Sequence, residues 1–347
     1  MRAAHVILTS SLVLLAACVL SLPLLPMGAQ VNEAEATVID HNSYIDWESL
    51  SKGEEVYEGN FFHVVGVIQD TGTKNIKDVG VELTFYDAQG EKILAGPVHG
   101  SLGFYRIEDG VEIPENLLGP GDKLPFRTVL LDAEASAKVA NYDISVKYAV
   151  TDEEPYRNLV ILNRRLRSRY GSASVIGELM NSGDQHLSCV SIYAAFYDGA
   201  GRIVDAAYYP APLYILVPGE KIAFATYSAS IEGNVTYELT TTCLKTRSTP
   251  YREFEILAHT SRTDQYGYLV LEGEVANTGD QDATEVRVAA DFYDEDGMPL
   301  GGYYTEIPQI RAGERSPFEV VLWDEELAAE VANYTFHISS SESTYIR

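Results

Sequence analysis

The chain has 347 residues, of which 25 are lysine or arginine and 51 aspartate or glutamate, giving a formal net charge of −26. Such acidity excludes nucleic acid as a main partner, because phosphates demand cationic neutralisation. The sequence holds no G-x-S-x-G, H-E-x-x-H, Walker loop or C-x-x-C, and no two of its seven histidines share metal-ligand spacing, which argues against an enzyme and against a bound cofactor or metal.

Residues 4–29 are almost wholly apolar, with Arg2 the only basic residue before them. Residues 1–29 are therefore expected to be a signal peptide or membrane anchor. Three readings stand open: cleavage after Met27-Gly28-Ala29, a retained span of about 20 residues, or lipidation of Cys18 in the box Leu15–Cys18. Each places the chain outside the cell or at its surface.

Past the leader, one pattern occurs three times. An N/D-T/S-G anchor ends at Gly72, Gly183 and Gly279, and thirteen residues later each leads to F-Y-D: Phe85-Tyr86-Asp87, Phe196-Tyr197-Asp198 and Phe292-Tyr293-Asp294. Six residues before each anchor glycine lies another (Gly66, Gly177, Gly273), and a proline or alanine followed by glycine comes later (Pro120-Gly121, Pro218-Gly219, Ala312-Gly313). A repeat of this length predicts one small domain copied in tandem, with copies at 37–151, 155–247 and 251–345.

The segments between anchors alternate with a period of two. In copy three, Val286, Val288, Ala290 and Phe292 alternate with Glu285, Arg287, Ala289 and Asp291. This predicts strands with the first set in a core and the second in water. The segments D-A-Q-G, D-G-A-G and D-E-D-G are turn chemistry. Leading strands are expected at Leu159–Leu162 and Phe254–Leu257, and one or two helical turns at Asp324–Val331. Six to seven short strands in about 95 residues predict an all-β fold of three antiparallel sandwiches. Copy one carries about thirteen extra residues, expected as a surface excursion around Ser101–Leu117. Short proline-containing linkers, Thr151–Pro155 and Ser248–Tyr251, predict limited flexing.

The segments Gly273–Asp280, Val286–Asp294 and Arg311–Phe318, with their counterparts in the other copies, resemble the FxLYD-type domain family. The leucine of that motif is phenylalanine here. The resemblance covers roughly 60–70% of the chain. It implies an immunoglobulin-like β-sandwich and a bacterial or archaeal surface setting, and no chemistry.

A few residues stand out as candidates for interaction. Arg164, Arg165, Arg167 and Arg169 form the one basic cluster, expected on an exposed loop of copy two. Such a loop would be solvated, or would meet the acidic faces of neighbouring copies, an anionic glycan or an anionic lipid. Cys189 and Cys243 are candidates for a disulfide, although their strand phases oppose each other. Asn234 and Asn333 begin N-x-T acceptor sequences. Asp291–Gly297 has the spaced acids of a calcium loop without its downstream glutamate. The expected role is a structural or adhesive surface spacer that presents binding loops to a protein or glycan. The rival is an extracellular module binding a metal ion or carbohydrate beside an exported enzyme or transporter.

Overall fold

The computed structural model describes residues 36–52, 55–93, 98–101, 105–108, 111–169, 171–228, 231 and 234–345. The leader and Cys18 lie outside these residues. Each copy folds as two antiparallel sheets. The back sheet joins the leading strand to the strand ending at the anchor and then to the strand after the proline-glycine or alanine-glycine turn. In copy two these are Leu159–Arg169, Ser172–Asn181 and Lys221–Ser228, and in copy three Phe254–Thr263, Leu269–Asn277 and Arg315–Leu322. The front sheet centres on the strand that ends in F-Y, His186–Tyr197 or Ala283–Tyr293. It is flanked by Ile203–Pro210 and Thr236–Thr246 in copy two, and by Pro299–Ile310 and Asn333–Ser339 in copy three.

Copy one departs at one strand. Its back sheet holds Ala36–Lys52, Glu55–Asp70 and Lys123–Leu130 together with Val98–Ser101, which corresponds to a front-sheet strand in the other copies. Its front sheet keeps Asn75–Tyr86, Asn141–Thr151 and the short Leu117–Leu118. The extra residues include a hairpin, Tyr105–Glu108 with Val111–Pro114, that pairs only with itself. The excursion is narrower than expected. Asn116, Leu117 and Leu118 are buried, and Asn116 exchanges two hydrogen bonds of 2.9 Å with the backbone of Val79.

The repeated residues are framework. Phe85, Phe196 and Phe292 are all buried, each in a separate core. Gly66, Gly177 and Gly273 pair directly across the back sheet with Phe126, Phe224 and Phe318. A Cβ on these glycines would sit 2.6, 2.9 and 2.5 Å from the opposing ring. The ring therefore lies on bare backbone, and only glycine leaves room for it.

The F-Y-D aspartates close the hairpins. One carboxylate oxygen accepts two backbone N–H groups of the turn in every copy: Gln89 and Glu91 on Asp87, Ala200 and Arg202 on Asp198, Asp296 and Met298 on Asp294. The D-E-D-G segment is thus a turn like its two counterparts. Asp324 is the N-cap of the helix Glu325–Glu330, where one or two helical turns were expected, and Asp132 caps an unanticipated counterpart, Ala133–Ser136.

Every copy also shares a feature that the sequence hides. Six residues past each anchor glycine the backbone turns left-handed, at Asp78 (φ 55°), Cys189 (φ 51°) and Glu285 (φ 46°). In copies one and two this opens a β-bulge against the last strand, and in all three the next residue, Val79, Val190 or Val286, is fully buried. Bulges re-aim side chains in this way. Replacing Phe292 by Ala should cost about 3–5 kcal/mol on urea unfolding. A cost below ~1 kcal/mol would remove it from the core.

Candidate functional site: the joints between copies

The copies stack. The back sheet of one covers the front sheet of the next, so some residues expected in water are buried. At joint one, Val65 and Val67 of copy one pack on Ala195, Ile203 and Tyr197 of copy two. At joint two, Ile176 and Ala225 of copy two pack into the apolar cluster of copy three. Ala289 and Asp291 are fully buried there, although strand phase assigned them to solvent. Alternation separates the two faces of a sheet and does not say what covers the second.

A buried carboxylate fixes each joint. At joint one, Asp205 of copy two accepts hydrogen bonds from the Tyr44 hydroxyl of copy one (3.0 Å), from the Ser228 hydroxyl and from its neighbour Ala206 N–H. Arg127 of copy one lies 3.9 Å away and ion-pairs with Glu48. In return, Asp40 of copy one accepts the Ile203 N–H of copy two at 2.9 Å. His63 stacks on Tyr44 at 4.7 Å, and Arg127 Nε donates to its Nδ1. At joint two, Asp291 of copy three accepts the Ala223 N–H of copy two (2.9 Å) and meets His337 Nε2 at 3.0 Å. The Tyr209 hydroxyl donates to the Gly302 carbonyl at 3.1 Å.

A second motif recurs at both joints. Pro155-Tyr156-Arg157 and Pro250-Tyr251-Arg252 overlap the ends of the two linkers. Tyr156 and Tyr251 donate to the anchor asparagines Asn181 and Asn277 at 2.8 and 2.7 Å, filling the space over Gly183 and Gly279. Arg157 and Arg252 reach back to the acid after the preceding copy's proline-glycine turn, Asp122 at 2.8 Å and Glu220 in a two-pronged pair. This P-Y-R repeat was visible in the sequence and went unread. No P-Y-R precedes the leading strand of copy one.

The arginine cluster is not a loop. It lies within the leading strand Leu159–Arg169. A bulge there, with Asn163 at φ 50°, splits the run. Arg165 faces Asp294 and Glu330 of copy three at 3.6 and 3.7 Å, and Arg167 pairs with Glu326 and Glu330 at 3.1 Å. Arg164 is exposed and turns toward copy one. The Arg169 side chain lies outside what is described. Arg287 belongs to the same seam, sandwiched over Tyr214 (4.2 Å) and Tyr304 (5.1 Å) and paired with Glu306.

The disulfide is not formed. Cys189 and Cys243 are free thiols. Cys243 faces the core of copy two, whereas the left-handed bulge aims the Cys189 sulfur at Glu115 of copy one, 3.1 Å away. Burial pushes both thiols up to about 12, which makes them poor nucleophiles. Asn234 and Asn333 are exposed beside the last strands of their copies. Among the described residues, no group of three or more His, Cys, Asp or Glu side chains is placed to hold a metal ion, and no helix is long and apolar enough to cross a membrane.

No family model matches the sequence, and no curated protein matches it. Among solved structures, a β-glucuronidase from glycoside hydrolase family 2 aligns over 80% of this chain at 9% identity and a TM-score of 0.16. This chain spans 30% of that enzyme's length. A similarity so slight carries no functional argument.

The two joints should respond oppositely to pH. Burial lowers His63 to about 4, so the folded state binds fewer protons there than the unfolded chain. Stability from joint one is then present above pH ~6.5 and lost as pH falls toward 4, by roughly 2–4 kcal/mol in all. Burial alone would also lower His337, but the hydrogen bond and charge of Asp291 outweigh it and hold it above its ordinary value. That contribution is complete below pH ~6.5 and fades as pH rises through the raised value. Unfolding at pH 5, 6.5 and 8 should show His63→Gln flattening the acid limb and His337→Gln flattening the alkaline one. A separate test uses Gly302, where a Cβ would collide with the Ala223 carbonyl across joint two. Gly302→Val should raise the radius of gyration in small-angle scattering while copy three stays folded.

Proposed function

We propose that this chain is a non-enzymatic, exported or surface-anchored spacer of the FxLYD type, which holds exposed loops at fixed mutual positions. The observation that carries this reading is the repeated joint. Both linkers lead into the same P-Y-R clamp, and both joints bury apolar faces with a carboxylate accepting bonds across the boundary. Interfaces that are merely tolerated between tethered domains are small and mobile. These are specified twice by the same residues in the same order, as expected for a part whose length and shape matter. Its tyrosine and histidine side chains at the joints are spent on packing and bridging. The apolar segment 4–29 supports export.

The acidity fits the same role. Outside the joints the strongly negative surface keeps a long exposed protein soluble. Mass spectrometry of the native N-terminus, with fractionation of the producing cell, tests the setting. A terminus near Gln30, a lipidated Cys18, or an intact leader in the membrane fraction would each fit export. A full-length chain in the soluble cytoplasmic fraction would overturn it.

A further inference from the structure

Joint one leaves a cleft of about 760 Å³ between copies one and two. That volume lies within the range of small-ligand sites, about 300–1,000 Å³, and such sites favour domain boundaries. It opens where the edge strand Thr236–Thr246 of copy two runs beside the proline-glycine turn of copy one. Half-buried Ile161, Leu239 and Tyr237 line it on the copy-two side, each also packed against the core of that copy.

The polar lining falls into two groups. Arg157 with Asp122, and Lys123 with Glu238, are ion pairs at 2.8 and 2.9 Å and neutralise one another. Arg164, Tyr237, Thr240 and Thr241 are different. Each lines the cleft, and none hydrogen-bonds or ion-pairs through its side chain with another described residue. The site therefore offers one uncompensated guanidinium, the Tyr237 phenol and, on the two sides of the edge strand, one threonine hydroxyl each. In a chain of net charge −26, an arginine left unpaired next to so many acids is unusual. The bulge at Asn163 separates it from Arg165 and Arg167, which bind copy three.

We propose that this cleft binds an anionic saccharide. The guanidinium matches a carboxylate or sulfate substituent. The phenol and threonine hydroxyls match sugar hydroxyls, and the half-buried Ile161, Leu239 and Tyr237 match the C–H face of a pyranose. A neutral sugar would leave Arg164 unused. An acidic peptide would use Arg164 and would bond the threonine hydroxyls only through its backbone, and poly-glutamate is the control that separates the two. The assignment rests on the cleft alone, and the spacer reading neither requires it nor falls with it.

Isothermal titration of the full chain tests it, with an oligogalacturonide as the carboxylated probe, a chondroitin sulfate oligosaccharide as the sulfated one, and maltohexaose and poly-glutamate as controls. At least one anionic saccharide should bind, at least tenfold more tightly than maltohexaose and poly-glutamate. The tighter of the two names the anion. Arg164→Ser should weaken binding by about tenfold or more, the scale of a charge-assisted hydrogen bond. The double variant Thr240→Val with Thr241→Val should also weaken it while leaving its salt dependence unchanged, with folding of each variant checked by circular dichroism. Absence of heat from both anionic saccharides at millimolar concentration would overturn the proposal. So would binding indifferent to Arg164→Ser, or poly-glutamate binding as tightly as the saccharides.

Discussion

A β-sandwich buries the two inner faces of its sheets and leaves two outer faces to be dealt with, and that constraint organises this protein. At corresponding positions beside the glycine of the back sheet stand Val65, Ile176 and Glu272. The first two are fully buried under the next copy. Glu272 is covered by no other copy among the described residues and pairs with Arg262. On the front sheets the matching set is Glu82, Tyr193 and Ala289. Glu82 is exposed and paired with Lys147, whereas Tyr193 and Ala289 are buried against the copy before. One residue at each position decides whether a face is a joint or an end.

Burying carboxylates at the joints is costly unless they are well paired. Here that cost brings register. Ala223 lies on the edge strand of its sheet, and its outward N–H would otherwise be an orphan donor. Asp291 takes that N–H from across the joint, and Asp40 does the same for Ile203. A purely apolar contact between two flat sheets could slide. A carboxylate bonded to one particular backbone N–H cannot slide without losing the bond in a dry place. The glycines Gly301 and Gly302 let the backbones approach closely enough for this.

Most of the framework was legible in the sequence because its causes are local. The alternation ending at Phe85, Phe196 and Phe292 marked the strands and the aspartate-glycine pairs the hairpins, whereas the recurrence of Gly66, Gly177 and Gly273 was plain but not its cause, the rings of Phe126, Phe224 and Phe318 across the sheet. The joints were harder to see. Ala289 and Asp291 sit in the phase that faces away from their own core, and nothing local says that another domain covers them. The left-handed residues Asp78, Cys189 and Glu285 were invisible because none of them is glycine. They also explain why two cysteines in one copy stay apart. The arginine run was misplaced for a related reason. Charge suggested a loop, yet Leu166 points into the core between Arg165 and Arg167 and continues the strand. P-Y-R was readable and missed, since it falls in segments taken for linkers.

The charged faces at the two ends have a consequence for how such a gene could grow. The stacking relation is head to tail, an arrangement that elsewhere yields open fibres. Here Glu82 with Lys147 on the outer face of copy one, and Arg262 with Glu272 and Glu319 on that of copy three, make those faces hydrophilic. Duplicating either outer copy would bring a hydrophilic end face against a partner built for apolar contact. Duplicating the middle copy would not, because it carries an adhesive surface on both sides. An array lengthened from this one should therefore have gained its additional units in the interior, with the hydrophilic faces kept on its outer copies.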